Sequence, residues 1–201
     1  MDCQIKKIHT PLTDGVIENL KSGDTVLISG TVFTARDAAH KRLFQLLKEG
    51  KELPVNLKGQ IIYYVGPAPA SPGHVCGSAG PTSSYRMDAY TPALLDIGLK
   101  GMIGKGLRTQ AVIDSMKKNT CVYFAATGGA AALIAKSIQS VEMIAYDDLG
   151  TEALQKMTVV DFPATVVIDA AGNNLYETGT IKYRKNERQR VPAEDERQAE
   201  R

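Results

Sequence analysis

Hydrophobic positions along the chain follow two patterns: short apolar runs typical of buried strands, and spaced apolar residues typical of amphipathic helices. The apolar runs predict strands in TVLISG (25–30), QIIYYVGP (60–67), GMIGKG (101–106), CVYFAAT (121–127) and VEMIAYDD (141–148). The stretch 158–177 predicts two more strands on either side of Phe162-Pro163, the second turning at Gly172-Asn173.

Helices are predicted between these strands. The segment 35–50 has apolar residues at helical spacing and ends at Gly50. A helix within 83–95 is interrupted or begins late, because Pro92 is unfavourable in a helix interior. Three further helices are predicted, in 109–119, 128–138 and 151–157.

The alternation of strands and helices indicates an α/β fold with a mainly parallel or mixed sheet flanked by helices. The sequence shows no internal repeat and no internal domain boundary, so we expect one domain over residues 1–181. Residues 182–201 mix both charge signs without apolar periodicity, which predicts a solvated, charged C-terminal tail.

The charge balance narrows the range of partners. The 201 residues include 24 Lys and Arg against 22 Asp and Glu, a formal net charge of +2. Nucleic-acid-binding surfaces are normally more basic than this. The chain has no apolar run of about 18 residues that would span a membrane, and its first residues do not read as a signal peptide. We therefore expect a cytoplasmic protein with neither nucleic-acid nor membrane partners.

The three cysteines, Cys3, Cys76 and Cys121, are far apart in the sequence. No pair has the CxxC spacing of a zinc site, and an odd, scattered set does not predict a disulfide framework. Cysteine thiolates also hold iron–sulfur clusters, but Cys121 lies in a predicted strand and Cys3 lies at a terminus. We predict no metal site within this chain.

Polar and charged residues follow the predicted strands, where open α/β sheets place their binding sites. In chain order they are Arg36, Asp37, His40, Arg42, Thr82, Ser83, Ser84, Arg86, Lys105, Gly128 and Gly129. Together these groups predict an anion-binding site. Arginines and a lysine suit a substrate with two carboxylates, because arginine binds one carboxylate through two hydrogen bonds and lysine provides a charge for the other.

Most of these residues also have a purely structural interpretation. Arg36 fits an exposed helix position, His40 fits a hydrogen-bonded structural histidine, and Thr82 fits a helix cap. Asp37 and Asp88 could pair with neighbouring arginines and orient them. The sequence alone leaves both interpretations open.

The segment GPTSSYRMD, residues 80–88, contains Thr82 and Arg86 at a spacing that brings two side chains to one face of a helical turn. A threonine hydroxyl is a very weak acid, so Thr82 would exchange protons only if nearby cations stabilised its alkoxide. Lys105 stands between two glycines, which cost chain entropy without benefit to an ordinary surface lysine.

Several well-known catalytic motifs are absent from the sequence. There is no GxxxxGK[ST] phosphate loop, no GxGxxG dinucleotide fingerprint, no GxSxG nucleophile and no HExxH metal motif. The chain offers binding groups without a strong catalyst, so we expect that half of its site is missing.

Five segments resemble, in order, the iron–sulfur-dependent class I fumarases. They are SGTVFTARDAAHKRL, GPTSSYRMDAYTP, GMIGKG, YFAATGGAAAL and DFPATVVIDAAGNNLY. The resemblance is greater to the separate β subunit of the two-subunit enzymes, a group that includes L(+)-tartrate dehydratase β subunits. It covers about residues 5–180 and rests on all five segments together.

This resemblance implies a swivelling β/β/α domain and a role in the reversible hydration of fumarate to (S)-malate. It also implies a site shared with an α subunit, whose three cysteines hold a 4Fe–4S cluster with an open iron that acts as a Lewis acid. The chain would be a hydro-lyase β subunit that binds the dicarboxylate substrate, binds no cluster itself and is inactive alone. Its self-association and the stoichiometry of the complex stay open.

The family's residues map onto this sequence motif by motif. The resemblance implies that Arg36, Arg86 and Lys105 bind substrate. It implies that Thr82 is the acid/base partner of an aspartate on the other unit. The residues expected to position these groups are Asp37, His40, Ser83, Gly128 and Gly129.

Two alternatives stay open. The segments RMDAY and GGAAALIA favour a fumarase, but an L(+)-tartrate dehydratase β subunit, which would act on tartrate, is the first alternative. The second is a non-catalytic anion-binding or assembly module that keeps the same fold.

Overall fold

A computed structural model describes residues 5–126 and 131–179 of the chain. Its strands are β1 (Lys6–His9), β2 (Thr25–Thr34), β3 (Ile61–Tyr63), β4 (Gly101–Gly104), β5 (Val122–Ala125), β6 (Ile138–Ala145) and β7 (Leu154–Ile168). Its α-helices include α1 (Asp14–Glu18), α2 (Asp37–Lys48), α3 (Thr91–Asp96), α4 (Gln110–Asn119) and α5 (Ala131–Lys136). Two 3₁₀ helices span Ser84–Met87 and Asp147–Glu152.

The strands form a mixed sheet that closes on itself. The order is β1-β2-β3-β4-β5-β7-β6, with an additional pairing between β2 and β7. Strands β1 to β5 run parallel to one another, and β7 is antiparallel to its neighbours β2, β5 and β6. Because β7 pairs with both β2 and β5, five strands make a closed ring. The predicted α/β class with a mixed sheet and flanking helices is confirmed, whereas the swivelling domain type stays a prediction.

Successive residues of β3 point into two different hydrophobic cores. Tyr63 packs inside the ring of strands, where its aromatic ring meets that of Phe162 edge-on at 5.2 Å. Ile62 faces outward and is buried with Leu43 of α2 and Leu94 of α3. This alternation follows from the two-residue period of a strand. Each such side chain stabilises the fold by roughly 1.5–3 kcal/mol through burial.

The prediction of two strands around Phe162-Pro163 is wrong, because β7 runs through both residues without a break. The chain instead accommodates the proline with a local irregularity. Asp161 has a positive φ of 49°, its amide donates to Ser29 Oγ at 3.0 Å, and the register with β2 shifts nearby. Such irregularities are where strands tolerate proline.

The predicted helix 151–157 is also corrected. The second 3₁₀ helix ends at Glu152, and residues 154–157 belong to β7. Met157 pairs with Val32 on one side and Val141 on the other, so pairing with two strands outweighs the local helical pattern. The polar edge strand β1 and the short helix α1 were not predicted.

The parallel strands β2, β3 and β4 all end at one edge of the sheet, and the segments carrying the candidate residues follow directly. None of the helices within the described ranges is both long and apolar enough to cross a membrane. The predicted tail, 182–201, lies outside the described residues.

Candidate anion-binding site

Two of the candidate loops lie side by side at the ends of β3 and β4. Ser83 forms an isolated parallel bridge with Lys105, and the Ser84 amide donates to the Lys105 carbonyl at 2.9 Å. Gly104 permits this close approach of the two segments because it has no side chain. A Cβ there would overlap Ser84 Oγ and lie 2.9 Å from Tyr64 Cδ2. The backbone therefore fixes the segment 80–88 against the lysine that follows β4.

An ion pair connects the same segment to helix α2. Arg86 Nε lies 2.7 Å from Asp37 Oδ1. Asp37 Oδ2 is buried without a hydrogen-bond partner among the described residues, so Arg86 provides the charge that offsets this carboxylate. Asp37 thus pairs with an arginine, but the partner is Arg86 and not Arg36, which stands beside it in the chain.

Thr82 lies outside the helical turn that contains Arg86. Its amide donates at 2.7 Å to the carbonyl of Tyr64, the residue directly after β3. The next residue, Ser83, has extended backbone angles. The 3₁₀ helix begins only at Ser84. The prediction that Thr82 and Arg86 share one face of a helical turn is therefore wrong, because the threonine is held by strand-like pairing.

Arg36 stands at the N-terminal end of α2 and is engaged by an acidic residue that the sequence did not reveal. Its Nη2 lies 3.1 Å from Glu152 Oε1, and its side chain is 23% exposed. Arg36 Nε is buried without an acceptor in the described part of the chain. Gly66 makes room for this guanidinium, since a Cβ there would lie 3.2 Å from both Arg36 Cδ and Arg36 Nη1.

Of the three cations Arg36, Arg86 and Lys105, the last two are the more exposed. The Arg86 side chain is 45% exposed and Lys105 is exposed. Within the described ranges Lys105 has no acidic partner, whereas Asp37 and Glu152 offset the charges of the two arginines. Arg86 still has N–H donors besides Nε, because a guanidinium carries five. An anion at this surface would therefore contact Lys105, whose charge is not offset by an acidic partner among the described residues, and the free N–H groups of Arg86.

His40 lies beneath this surface and not on it. It is fully buried, its Nδ1 is 2.9 Å from the Arg36 carbonyl, and its ring lies edge-on to Tyr64 at 5.3 Å. Burial lowers the pKa of His40 to about 4, so the imidazole is neutral at pH 7 and Nδ1 donates to the carbonyl. Nε2 is buried without a partner among the described residues.

Two of the predicted groups are not part of this cluster. Arg42 binds both carboxylate oxygens of Asp148, at 2.7 and 2.5 Å, and lies over the Tyr146 ring. It is therefore a surface ion pair and not an anion ligand. Gly128 and Gly129 lie outside the described residues.

Sequence reasoning missed Arg108, whose side chain is completely buried. Its Nε donates to Asp88 Oδ1 at 2.7 Å, and its Nη2 donates to Thr91 Oγ1 at 2.9 Å. Asp88 Oδ2 also accepts from the Thr109 amide at 2.7 Å. Asp88 thus pairs with an arginine, but the partner is the distant Arg108 and not the neighbouring Arg86. The only hint of the partner was the position of Arg108 three residues after Lys105.

Comparison with known proteins places this sequence in a family. The family model for the Fumarase C-terminus matches residues 2–179. The chain belongs to the Fumarase C-terminus family. The predicted resemblance is thereby confirmed.

Relatives of this Fumarase C-terminus chain carry two kinds of name. It is 42% identical over 152 residues to "Fumarate hydratase class I, anaerobic" of Escherichia coli (strain K12), covering 75% of this chain and 28% of that protein. It is 40% identical over 156 residues to "Fumarate hydratase 2" of Leishmania major, covering 77% and 28%. It is 36% identical over 172 residues to "Putative L(+)-tartrate dehydratase subunit beta" of Methanocaldococcus jannaschii, covering 83% and 88%. The chain thus spans about 28% of the fumarate hydratases and most of the β subunit.

The described cysteines of this Fumarase C-terminus chain do not suit an iron–sulfur cluster. Cys121 is buried, and burial raises the pKa of its thiol to about 12, which disfavours the thiolate that binds metal. Burial also raises the pKa of the half-buried Cys76. In residues 5–126 and 131–179, no three His, Cys, Asp or Glu side chains are grouped to hold a metal ion. The described residues therefore do not fit a cluster.

Proposed function

We propose that this chain is the β subunit of a heteromeric hydro-lyase that reversibly hydrates fumarate to (S)-malate. The observation that carries the proposal is the exposed pair of cations, Arg86 and Lys105, fixed on adjoining segments beside Thr82 in a Fumarase C-terminus chain. In this proposal the chain supplies one wall of the active site.

The two cations suit the two ends of a dicarboxylate. Asp37 fixes Arg86 through Nε, which leaves the other guanidinium N–H groups for a substrate carboxylate. Lys105 provides a point charge for the second carboxylate. Arg36 adds a partly buried guanidinium that Glu152 restrains, and we assign it to substrate binding as well.

Thr82 is the group we assign to proton transfer at the substrate carbon. Its hydroxyl exchanges a proton at neutral pH only where neighbouring cations stabilise the alkoxide, and Arg86 and Lys105 lie on segments that adjoin its own. His40 is buried and neutral, so we assign it no proton transfer; it orients the backbone of Arg36 instead.

The rest of the site belongs, in this proposal, to an α subunit. A 4Fe–4S cluster on that partner would supply a Lewis acid for the substrate oxygens. The described residues of this chain bind and orient the dicarboxylate and hold the proton at Thr82 Oγ1. On this division of labour the chain alone binds substrate weakly and turns over none.

A second candidate function, L(+)-tartrate dehydration, rests on a specific comparison. The chain covers 88% of a relative named as the β subunit of that enzyme, a closer match in extent than to the fumarate hydratases. Both substrates are dicarboxylates, so the cations Arg86 and Lys105 fit either.

The experiment begins with co-purification to identify the partner, followed by anaerobic reconstitution and assays with fumarate and L-tartrate. We expect faster turnover of fumarate by the complex and no iron–sulfur absorption from this chain purified alone. Faster turnover of L-tartrate than of fumarate would contradict fumarate hydration and support L(+)-tartrate dehydration. An iron-containing single chain would overturn the division of labour.

A further inference from the structure

A continuous stack of buried side chains lies under the candidate site. The His40 ring contacts the Tyr64 ring edge-on at 5.3 Å. The Arg108 guanidinium lies over the Tyr64 ring at 5.3 Å and over the Tyr123 ring at 5.1 Å. All four side chains are buried, so a guanidinium is enclosed between two aromatic rings beneath an exposed cationic surface.

Two members of this stack, His40 and Tyr123, also bond to segments that carry the anion-binding residues. His40 Nδ1 bonds the Arg36 carbonyl at 2.9 Å. Tyr123 OH lies 2.8 Å from Ser84 Oγ and donates to the Gly106 carbonyl at 3.0 Å. The stack therefore touches the start of α2, the 3₁₀ helix and the loop after β4.

Arg108 connects the loop after β4 to several other elements. Arg108 donates to Asp88, the residue that follows the 3₁₀ helix, and to Thr91, the first residue of α3. Its Nη1 also lies 3.3 Å from Tyr64 OH and 3.4 Å from Met102 Sδ on β4. Every nitrogen of its guanidinium is engaged, so the fork has one geometry.

We propose that Arg108, together with Tyr123, is a positioning residue that fixes Arg86 and Lys105 at the separation a dicarboxylate requires. This inference rests on the proposed function for the identity of the ligand, but the loop register it describes is independent of that function. A buried ion pair contributes little stability relative to packed apolar side chains. Its geometric precision is the property that apolar packing at this position would not supply.

The test uses two conservative variants that change the polar contacts of the stack and retain most of its packing. Arg108→Lys keeps a positive charge beside Asp88 and loses the fork. Tyr123→Phe removes only the hydroxyl shared by Ser84 and Gly106. Ile17→Val is the matched control for a small loss of stability, because Ile17 is buried in α1, which belongs to the opposite end of the sheet. There α1 is tied by Asp14 to Lys100, just before β4 begins.

Two measurements are made on the full chain and on its complex with the partner subunit. Hydrogen exchange of the Ser84 amide reports whether the 3₁₀ helix stays bonded to the Lys105 carbonyl. Steady-state kinetics report KM and kcat separately. We expect both variants to accelerate Ser84 exchange at least about tenfold relative to Ile17→Val and to raise KM about tenfold, with a smaller change in kcat.

The outcomes separate the two proposals. Exchange and KM values that match those of Ile17→Val would overturn the positioning role. If the wild-type complex turns over neither fumarate nor L-tartrate, the proposed function fails. Ser84 exchange in the two variants then still decides whether Arg108 and Tyr123 set the register of the loops.

Discussion

Arg86 Nε donates to Asp37 Oδ1 at 2.7 Å, and this contact ties the 3₁₀ helix that follows β3 to the first residue of α2. The aspartate orients a cation that still faces solvent. Asp37 therefore serves the site without itself being available to an anionic substrate.

The first prediction concerns this pair. Arg86→Ala should lower kcat/KM of the reconstituted complex at least roughly 30-fold, because it removes a charged partner of the substrate. This corresponds to a loss of about 2 kcal/mol in transition-state stabilisation. Asp37→Asn keeps Arg86 but weakens the contact that orients it, and should lower kcat/KM about tenfold. The double variant should be no worse than Arg86→Ala, since Asp37 acts through Arg86. Additive losses would show that Asp37 has a separate role.

Thr82 provides the second prediction. Thr82→Val keeps the shape and removes the hydroxyl, so kcat should fall at least about 100-fold, the usual contribution of a positioned proton-transfer group. KM should change little. Thr82→Ser keeps the hydroxyl and should retain most of the rate, which makes it the matched control. Equal losses in the two variants would point to packing of the methyl group and against proton transfer.

His40 gives the protein a pH-dependent stability. Burial lowers its pKa from 6.5 in the unfolded chain to about 4 in the folded protein. Between these values the unfolded chain binds a proton that the folded protein does not. The stability that the folded protein gains from a neutral His40 is therefore fully present above pH 6.5 and is lost as the pH falls towards 4.

The third prediction follows from that window. Lowering the pH from 7 to 5 should reduce the free energy of unfolding by about 2 kcal/mol through His40 alone. His40→Gln should remove this part of the slope, as measured by urea denaturation at both pH values. Identical slopes for the variant and the wild type would mean that His40 is not buried in its neutral form.

The fourth prediction concerns the close approach of the two loops at Gly104. Gly104→Ala places a methyl group against Ser84 Oγ and Tyr64, and overpacking of this kind costs about 1–3 kcal/mol. Gly15→Ala in α1 is the matched control, because a Cβ there meets no atom within 4 Å and alanine favours helix. Thermal denaturation should rank Gly104→Ala below the wild type and Gly15→Ala at or above it. The reverse order would contradict the described packing.

The sequence was most informative where local chemistry decides the outcome. Lys105 between two glycines and the residues after each parallel strand were identified because strand ends and glycine positions are local features. Asp37 was expected to pair with an arginine because one stands beside it in the chain. The structure uses a different arginine, Arg86, which the parallel strands bring to the same edge.

Contacts between distant parts of the chain could not be predicted in the same way. Glu152 reaches Arg36 only because β7 crosses back beside β2, a pairing that no local pattern reveals. Arg108 was not identified from the sequence, because its burial depends on Tyr64 and Tyr123 from two separate strand segments. Closure of the ring of strands likewise depends on pairing between the two ends of the described chain.

The most direct test of the account measures fumarate hydration by the anaerobically reconstituted complex with wild-type, Arg86→Ala and Lys105→Ala chains. We predict measurable turnover with the wild type and a loss of about 2 kcal/mol or more in kcat/KM for each variant, since each removes a cation that holds one end of the dicarboxylate. Lys118→Ala is the matched control, because its ion pair with Asp96 is exposed and lies apart from the site. Full activity in both site variants would contradict the account and favour a non-catalytic binding or assembly module.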